Sequence, residues 1–132
     1  MFAKTQMTAI SFSYPDVCDI VTAAGTIPFT FPNFAFSTLT VPNVLNIFIN
    51  CMPVHNIFSE TVISTGNEAS APLGGIISAE FIGSMQNLTS STKVFYSCGT
   101  STRFCDVSSQ NGIADNMPGV NLSPSQTIVF NG

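Results

Sequence analysis

Two segments of this chain align without a gap at an offset of 47 residues: Phe48-Ile49-Asn50-Cys51-Met52-Pro53-Val54-His55-Asn56 and Phe95-Tyr96-Ser97-Cys98-Gly99-Thr100-Ser101-Thr102-Arg103. Each starts apolar, at Ile47 to Ile49 and at Val94 to Tyr96, and then breaks into a turn. A unit used twice constrains the fold to a stacked or pseudo-symmetric β architecture, because a short strand–turn unit cannot bury its apolar face alone.

The rest of the chain agrees with an all-β domain with little helix. Phe, Ile, Val and Thr dominate, and no window of helical length carries an apolar stripe flanked by charges. Strands are expected at Phe29–Phe31, Leu45–Asn50, Ile57–Ser64, Gly75–Phe81, Lys93–Ser97 and Thr127–Phe130. Turn chemistry separates them at Ala24-Gly25, Phe31-Pro32-Asn33, Val41-Pro42-Asn43, Thr65-Gly66-Asn67, Leu73-Gly74-Gly75, Asn111-Gly112 and Met117-Pro118-Gly119. The proline- and aromatic-rich stretch from Pro15 to Pro42 reads as extended irregular backbone laid over the sheet. At 132 residues, with no linker in view, residues 1–132 are expected to form a single domain.

Composition excludes several function classes. Charged residues make up 8% of the chain, against about a quarter in an ordinary globular domain. The surface must therefore be built of Ser, Thr, Asn and apolar groups, and such a surface is expected to be covered by a partner. Seven acids face only Lys4, Lys93 and Arg103, for a net charge of −4, which leaves nothing to neutralise phosphates and argues against nucleic-acid binding and attachment to anionic lipid. No run of 18 apolar residues occurs, and the opening Met1 to Met7 lacks the basic and apolar regions of a signal peptide. Assembly in a cytoplasm, with exit by a route that needs no cleaved signal, is the expectation.

Chemistry-bearing residues are few. His55 is the single histidine and has no Asp or Glu close in sequence, so acid–base catalysis lacks its oriented partner. No nucleophile elbow, Walker loop, HExxH or EF-hand pattern is present, and no catalytic residue is assigned. Cys18, Cys51, Cys98 and Cys105 admit three disulfide pairings, or free thiols in a reducing cytoplasm, or part of a Cys/His zinc site, although the CxxC spacings of zinc ribbons are missing. Small buried hydrophobes with inert thiols remain the competing reading of each.

Read end to end, the chain resembles the PAAR-like (DUF4150) family, the spike-tip proteins of type VI secretion and related contractile injection systems. The opening Met1-Phe2-Ala3-Lys4-Thr5-Gln6-Met7 with Tyr14-Pro15-Asp16-Val17-Cys18 is similar to the family's start. Ile27-Pro28-Phe29-Thr30-Phe31-Pro32-Asn33-Phe34-Ala35 resembles its proline-rich run, and Pro53-Val54-His55-Asn56 its histidine motif. Further matches are Thr65-Gly66-Asn67-Glu68-Ala69, Gly74-Gly75-Ile76-Ile77-Ser78, Thr102-Arg103, Gln110-Asn111 and Pro118 to Thr127.

The resemblance implies a short cone of stacked strands with pseudo-threefold character. Its base would seat, one tip per trimer, on a trimeric β-helical spike protein of the valine-glycine-repeat type, and its apex would make transient membrane contact and possible effector attachment would follow. The two copies of the repeat supply two of three pseudo-symmetric contacts, and the strand-like closing segment Leu122 to Phe130 is taken as the third, with Leu122, Pro124, Ser125, Gln126 and Val129 as spike-contact residues. Members of the broader group hold one zinc ion at the apex. Here Cys18 and His55, in matching segments, are the first candidate ligands, with Cys98 and Cys105 to complete the set. An apex held by hydrogen bonds alone is the alternative. The chain ends at Gly132 after the last expected strand, so no effector extension is expected. A free-standing β-sandwich adhesin is the competing function, and a small hydrolase using His55 a third.

Overall fold

The computed structural model describes residues 1–132 except Ile113 and Asp115. Thirteen strands are present among the described residues: β1 (Ile10–Thr22), β2 (Gly25–Phe36), β3 (Thr40–Val41), β4 (Val44–Ile49), β5 (Met52–Val54), β6 (Glu60–Thr61), β7 (Ser64–Thr65), β8 (Gly74–Gly75), β9 (Met85–Asn87), β10 (Phe95–Tyr96), β11 (Gly99–Thr100), β12 (Val107–Gln110) and β13 (Met117–Asn121). Among the described residues helix is limited to two single 3₁₀ turns, Ser37–Leu39 and Glu68–Ser70, and none is long and apolar enough to cross a membrane. The fold is all-β, as the sequence predicts.

One antiparallel sheet runs in the order β3-β6-β9-β12-β13-β1-β2-β7, with β8 also on β1, and two separate hairpins, β4–β5 and β10–β11, stand apart from it. The sheet is built around the long β1–β2 hairpin, in register from Ile10↔Phe36 to Thr22↔Gly25 apart from a shift between Ser13 and Asp16. The proline-rich stretch is thus the spine of the sheet, which corrects the expectation of irregular backbone. Its prolines are tolerated by position: Pro15 and Pro32 fall where the register shifts, and Pro28 lies in the outer half of β2, beyond its short pairing with β7 at Phe34–Ala35.

Outside one small apolar cluster, the large sheet buries mostly polar side chains and leaves many apolar ones on the surface. In β1 the buried residues are Ser11, Ser13, Asp16 and Cys18, while Phe12 is half-buried and Tyr14 exposed. β12 buries Ser108, Ser109 and Gln110, and β2 buries Asn33 and Ala35. Small side chains let the strands approach closely across a narrow interior, and the aromatic rings of β1 and β2 lie on the other face, half-buried or exposed, where Phe12 packs at a tilt on Phe34 at 5.1 Å and Phe29 on Phe31 at 5.2 Å. The total surface of 6450 Å² is close to the roughly 6,700 Å² expected of a compact monomer of this mass. The exposed apolar groups are therefore not a result of loose packing.

Two further expectations are corrected. Gly75–Phe81 is a strand only at Gly74–Gly75: the Ile76 and Ile77 side chains are exposed, and the backbone turns back as Gly75 N–H donates to Glu80 O at 2.8 Å. Ile57–Ser64 breaks into β6 and β7, which lie at opposite ends of the sheet. A close approach fixes Gly66, whose φ is +123° and where a Cβ would lie 2.1 Å from Pro32 O.

Candidate functional site: a pseudo-threefold ring and its apolar face

The sequence repeat is a structural repeat, and it has a third copy. Phe48 pairs with Pro53 across the β4–β5 hairpin, and Phe95 pairs with Thr100 across β10–β11. Phe130 pairs with Phe2 in the same way, with the rings 4.2 Å apart. The tripeptides Ile47-Phe48-Ile49, Val94-Phe95-Tyr96 and Val129-Phe130-Asn131 are equivalent. Backbone bonds confirm the register, since Ser101 N–H donates to Val94 O at 2.9 Å and Ala3 N–H to Val129 O at 3.1 Å.

Each unit then runs into a closed ring of three short segments. Isolated bridges join Thr5 to Val54, Asn56 to Ser101, and Arg103 to Ala3, so every segment touches both others. One bond recurs three times: Gln6 N–H to Pro53 O at 2.9 Å, Ile57 N–H to Thr100 O at 2.9 Å and Phe104 N–H to Phe2 O at 2.8 Å. Lys4, His55 and Thr102 are the equivalent central residues, and all three are buried.

The first turn is made by Asn50 and Cys51 in left-handed conformations, φ 53° and 62°, the pairing that two-residue hairpins favour. The second contains Ser97 at φ 58°. In place of a third turn the chain ends meet: the Met1 ammonium donates to Asn131 O at 2.9 Å, and Asn131 N–H to Met1 O at 2.7 Å.

Within each tripeptide the flanks point inward and the centre outward. Ile49 and Tyr96 belong to the apolar cluster with Ala3, Val44 and Val54, against which Ile47, Val94 and Val129 pack. Asn131 replaces the third apolar flank and donates to the Tyr96 hydroxyl at 2.7 Å and to Ser101 Oγ at 2.5 Å. Phe48, Phe95 and Phe130 are 59%, 63% and 68% exposed. Three equivalent phenylalanines thus stand on the surface in a pseudo-threefold arrangement.

The residues predicted as spike contacts divide. Leu122 is exposed, and Pro124 and Val129 are half-buried. Ser125 and Gln126 are buried and act as fasteners. Thr5 N–H donates to Ser125 Oγ at 2.8 Å. The Gln126 carboxamide donates to Ala3 O and Val129 O at 2.9 Å each, and accepts from the N–H groups of Ile128 at 2.7 Å and Val129 at 2.8 Å. The closing segment supplies only Val129-Phe130-Asn131 to the third unit. Met1 to Gln6 supplies the rest, a contribution the sequence reading did not assign.

The predicted zinc ligands lie in separate settings. Cys18 is buried in β1, where the amides of Asn67 and Asn111 each reach its Sγ at 3.7 Å. Burial first, then the charge of Asp16, pushes its thiol up. His55 lies in the ring with Nε2 2.7 Å from Gln6 Oε1, and its Nδ1 has no partner among the described residues. Burial, aided by the charge of Lys4, lowers its pKa to about 3. Cys98 is exposed on the β10–β11 turn, and Cys105 is exposed at φ 66°. Among the described residues no three His, Cys, Asp or Glu side chains come together to hold a metal ion.

A second constellation accounts for several of the quoted motifs. Buried Asp16 accepts from the side-chain amides of Asn67 at 2.9 Å, Asn33 at 3.3 Å and Asn116. Two of these asparagines also clamp loop backbone, as Ile82 N–H donates to Asn67 Oδ1 at 2.9 Å and Ile77 N–H to Asn116 Oδ1 at 3.0 Å, and Asn111, on Cys18, does the same for Gly83 N–H at 3.1 Å. Asp16 and its amides therefore pin the loops on either side of β8 onto the central hairpin.

A sequence model of the toxin PAAR-like domain matches residues 9–119. That span includes Asp16, its three amides and the first two units of the ring, and stops short of the third. No curated protein and no solved structure matches the chain.

Proposed function

The chain belongs to the toxin PAAR-like family, and from that footing we propose that it is a non-enzymatic tip that seats on a threefold-symmetric spike shaft of a contractile injection particle. The observation that carries the reading is the trio Phe48, Phe95 and Phe130, exposed at equivalent positions around the ring. A single chain can satisfy a homotrimer only by presenting three like contacts, and a homotrimer offers each phenylalanine the same site. Apolar side chains of this size are the usual anchors of an interface. Seating covers surface that the inverted interior of this fold leaves in water.

Away from the ring, the outer half of the β1–β2 hairpin supports a leading role. From Ile20 to Phe31 it carries no charged residue, and nearly all of it is exposed. A charge at the centre of a bilayer costs at least about 2.5 kcal/mol, so an uncharged projection enters hydrocarbon at lower cost than an ordinary surface. In this reading the tip is assembled in the producing cell and carried out on the particle.

Co-expression with a trimeric β-helical spike protein tests the proposal. The parent chain is expected to co-purify, and the variant F48S/F95S/F130S to fold and stay behind. A triple variant that binds the shaft as well as the parent would move the contact away from this face.

A further inference from the structure

Lys4 occupies an unusual place for a lysine. Its side chain is 4% exposed, and among the described residues the one ion pair is Arg103–Asp106, so no carboxylate neutralises it by contact. Its Nζ lies 2.8 Å from Oδ1 of Asn121 and 3.2 Å from Ser11 Oγ. Asn121 is itself buried and its carboxamide is held at both ends. Nδ2 donates to Asn87 Oδ1 at 2.9 Å and to Arg103 O at 3.2 Å, while the Ser11 hydroxyl donates to Oδ1 at 2.5 Å.

A lysine becomes a nucleophile when its amine is uncharged. Burial lowers the Lys4 pKa to about 7, against the opposing pull of the Asp106 carboxylate, which is held by Arg103 and Thr89. The other titratable group felt here, His55, is neutral near pH 7 because its own pKa lies at about 3. Near pH 7 a substantial share of this amine is therefore uncharged, in a dry site beside a carboxamide whose carbonyl is polarised by a hydroxyl donor, with both partners fixed before reaction.

We propose that Lys4 and Asn121 become joined by an intramolecular isopeptide bond that the folded protein forms by itself. The Nζ lone pair attacks Cγ of Asn121, and the charge that develops on Oδ1 is stabilised by the Ser11 hydroxyl. The Nζ–Cγ bond forms and the Cγ–Nδ2 bond breaks. A proton from Nζ leaves with Nδ2, so one ammonia is released and no other reactant is consumed. Ser11 Oγ contacts both Nζ and Oδ1 and positions the pair for proton transfer. The link would tie the Met1 to Gln6 segment of the third unit to β13, clamping that unit, which is made from both chain ends, against a pull along the chain. This inference does not depend on what the ring docks against.

Intact-mass measurement on the denatured full-length protein tests it directly and needs no variant. The expected mass is one ammonia below that of the sequence, peptide mapping yields a branched peptide containing Lys4 and Asn121, and Lys4 resists amine reagents after unfolding. Ser11→Ala slows the conversion and Asn121→Ala restores the full mass. A full mass with a reactive Lys4 overturns the proposal. So does a deficit traced to a succinimide at Asn111-Gly112, which reopens in mild base and leaves Lys4 free.

Discussion

Replacing Gln126 by alanine removes one buried side chain and strands two backbone donors. The N–H groups of Ile128 and Val129 both end on Gln126 Oε1, at 2.7 and 2.8 Å, and the Nε2 group ties Ala3 O to Val129 O at 2.9 Å each. A fully buried donor left without a partner costs about 1–3 kcal/mol; these two are only part-buried, on exposed Ile128 and half-buried Val129, so together they cost about 2 kcal/mol. For a domain whose whole stability is about 5–15 kcal/mol that is a large fraction. With each kcal/mol worth roughly 3–5 °C at this chain length, the melting temperature should fall by about 6–10 °C. The assay is thermal unfolding followed by circular dichroism, with the exposed neighbour Thr127→Ala as a control expected within about 0.5 kcal/mol of the parent. Hydrogen exchange should show the loss first at Ala3, Val129 and Asn131, because the third unit is fastened by this residue. If Q126A melts within a degree or two of the parent, the closing segment is not clamped as described, and Gln126 returns to being a surface residue.

Acid should weaken the fold through His55. Its pKa is about 3 when folded and 6.5 when free, so between those values the unfolded chain takes up a proton that the folded chain refuses. That contribution is complete above pH 6.5 and is lost on acidification at about 1.4 kcal/mol per pH unit, read as the denaturation midpoint against pH; His55→Gln should flatten the slope across that window. The glycines divide by space. Gly25→Ala meets nothing within 4 Å and should cost only the roughly 1–2 kcal/mol of its left-handed φ, whereas Gly66→Ala drives a Cβ to 2.1 Å from Pro32 O and should abolish or gravely weaken folding, as soluble yield and melting temperature will show.

Much of the ring was legible because its first two units share one gap-free spacing and the same strand–turn–strand order. The third was read only in part, as the closing segment Leu122 to Phe130, for a topological reason. Its outward phenylalanine is Phe130 and its return strand begins at Phe2, so the unit is read only by joining the two ends of the chain. The tripeptide Val129-Phe130-Asn131 is the trace it leaves.

The spine of the sheet was misread because Pro15, Pro28 and Pro32 are breakers in most contexts, and their harmless placement is set by pairing that only the fold defines. The strands β9, β12 and β13 were missed for a different reason. β12 and β13 bury Ser, Gln and Asn, so a pattern search that takes apolar residues as inward-facing runs the wrong way round there, while β9 offers only Met85 as an apolar signal in three residues. The same inversion hid the asparagines around Asp16, which look in the sequence like ordinary loop residues. Cys18 and His55 are buried at key places, yet as a hydrogen-bond acceptor and a ring member rather than as ligands meeting at one centre.

The central claim is that one copy of this chain meets a homotrimer through three equivalent contacts. Native mass spectrometry of the co-purified complex with a trimeric spike protein measures this directly. One tip per three shaft chains is predicted, with Phe48→Ser, Phe95→Ser and Phe130→Ser each loosening the complex to a comparable degree. Three tips per trimer, or a complex sensitive to only one of the three phenylalanines, would contradict it.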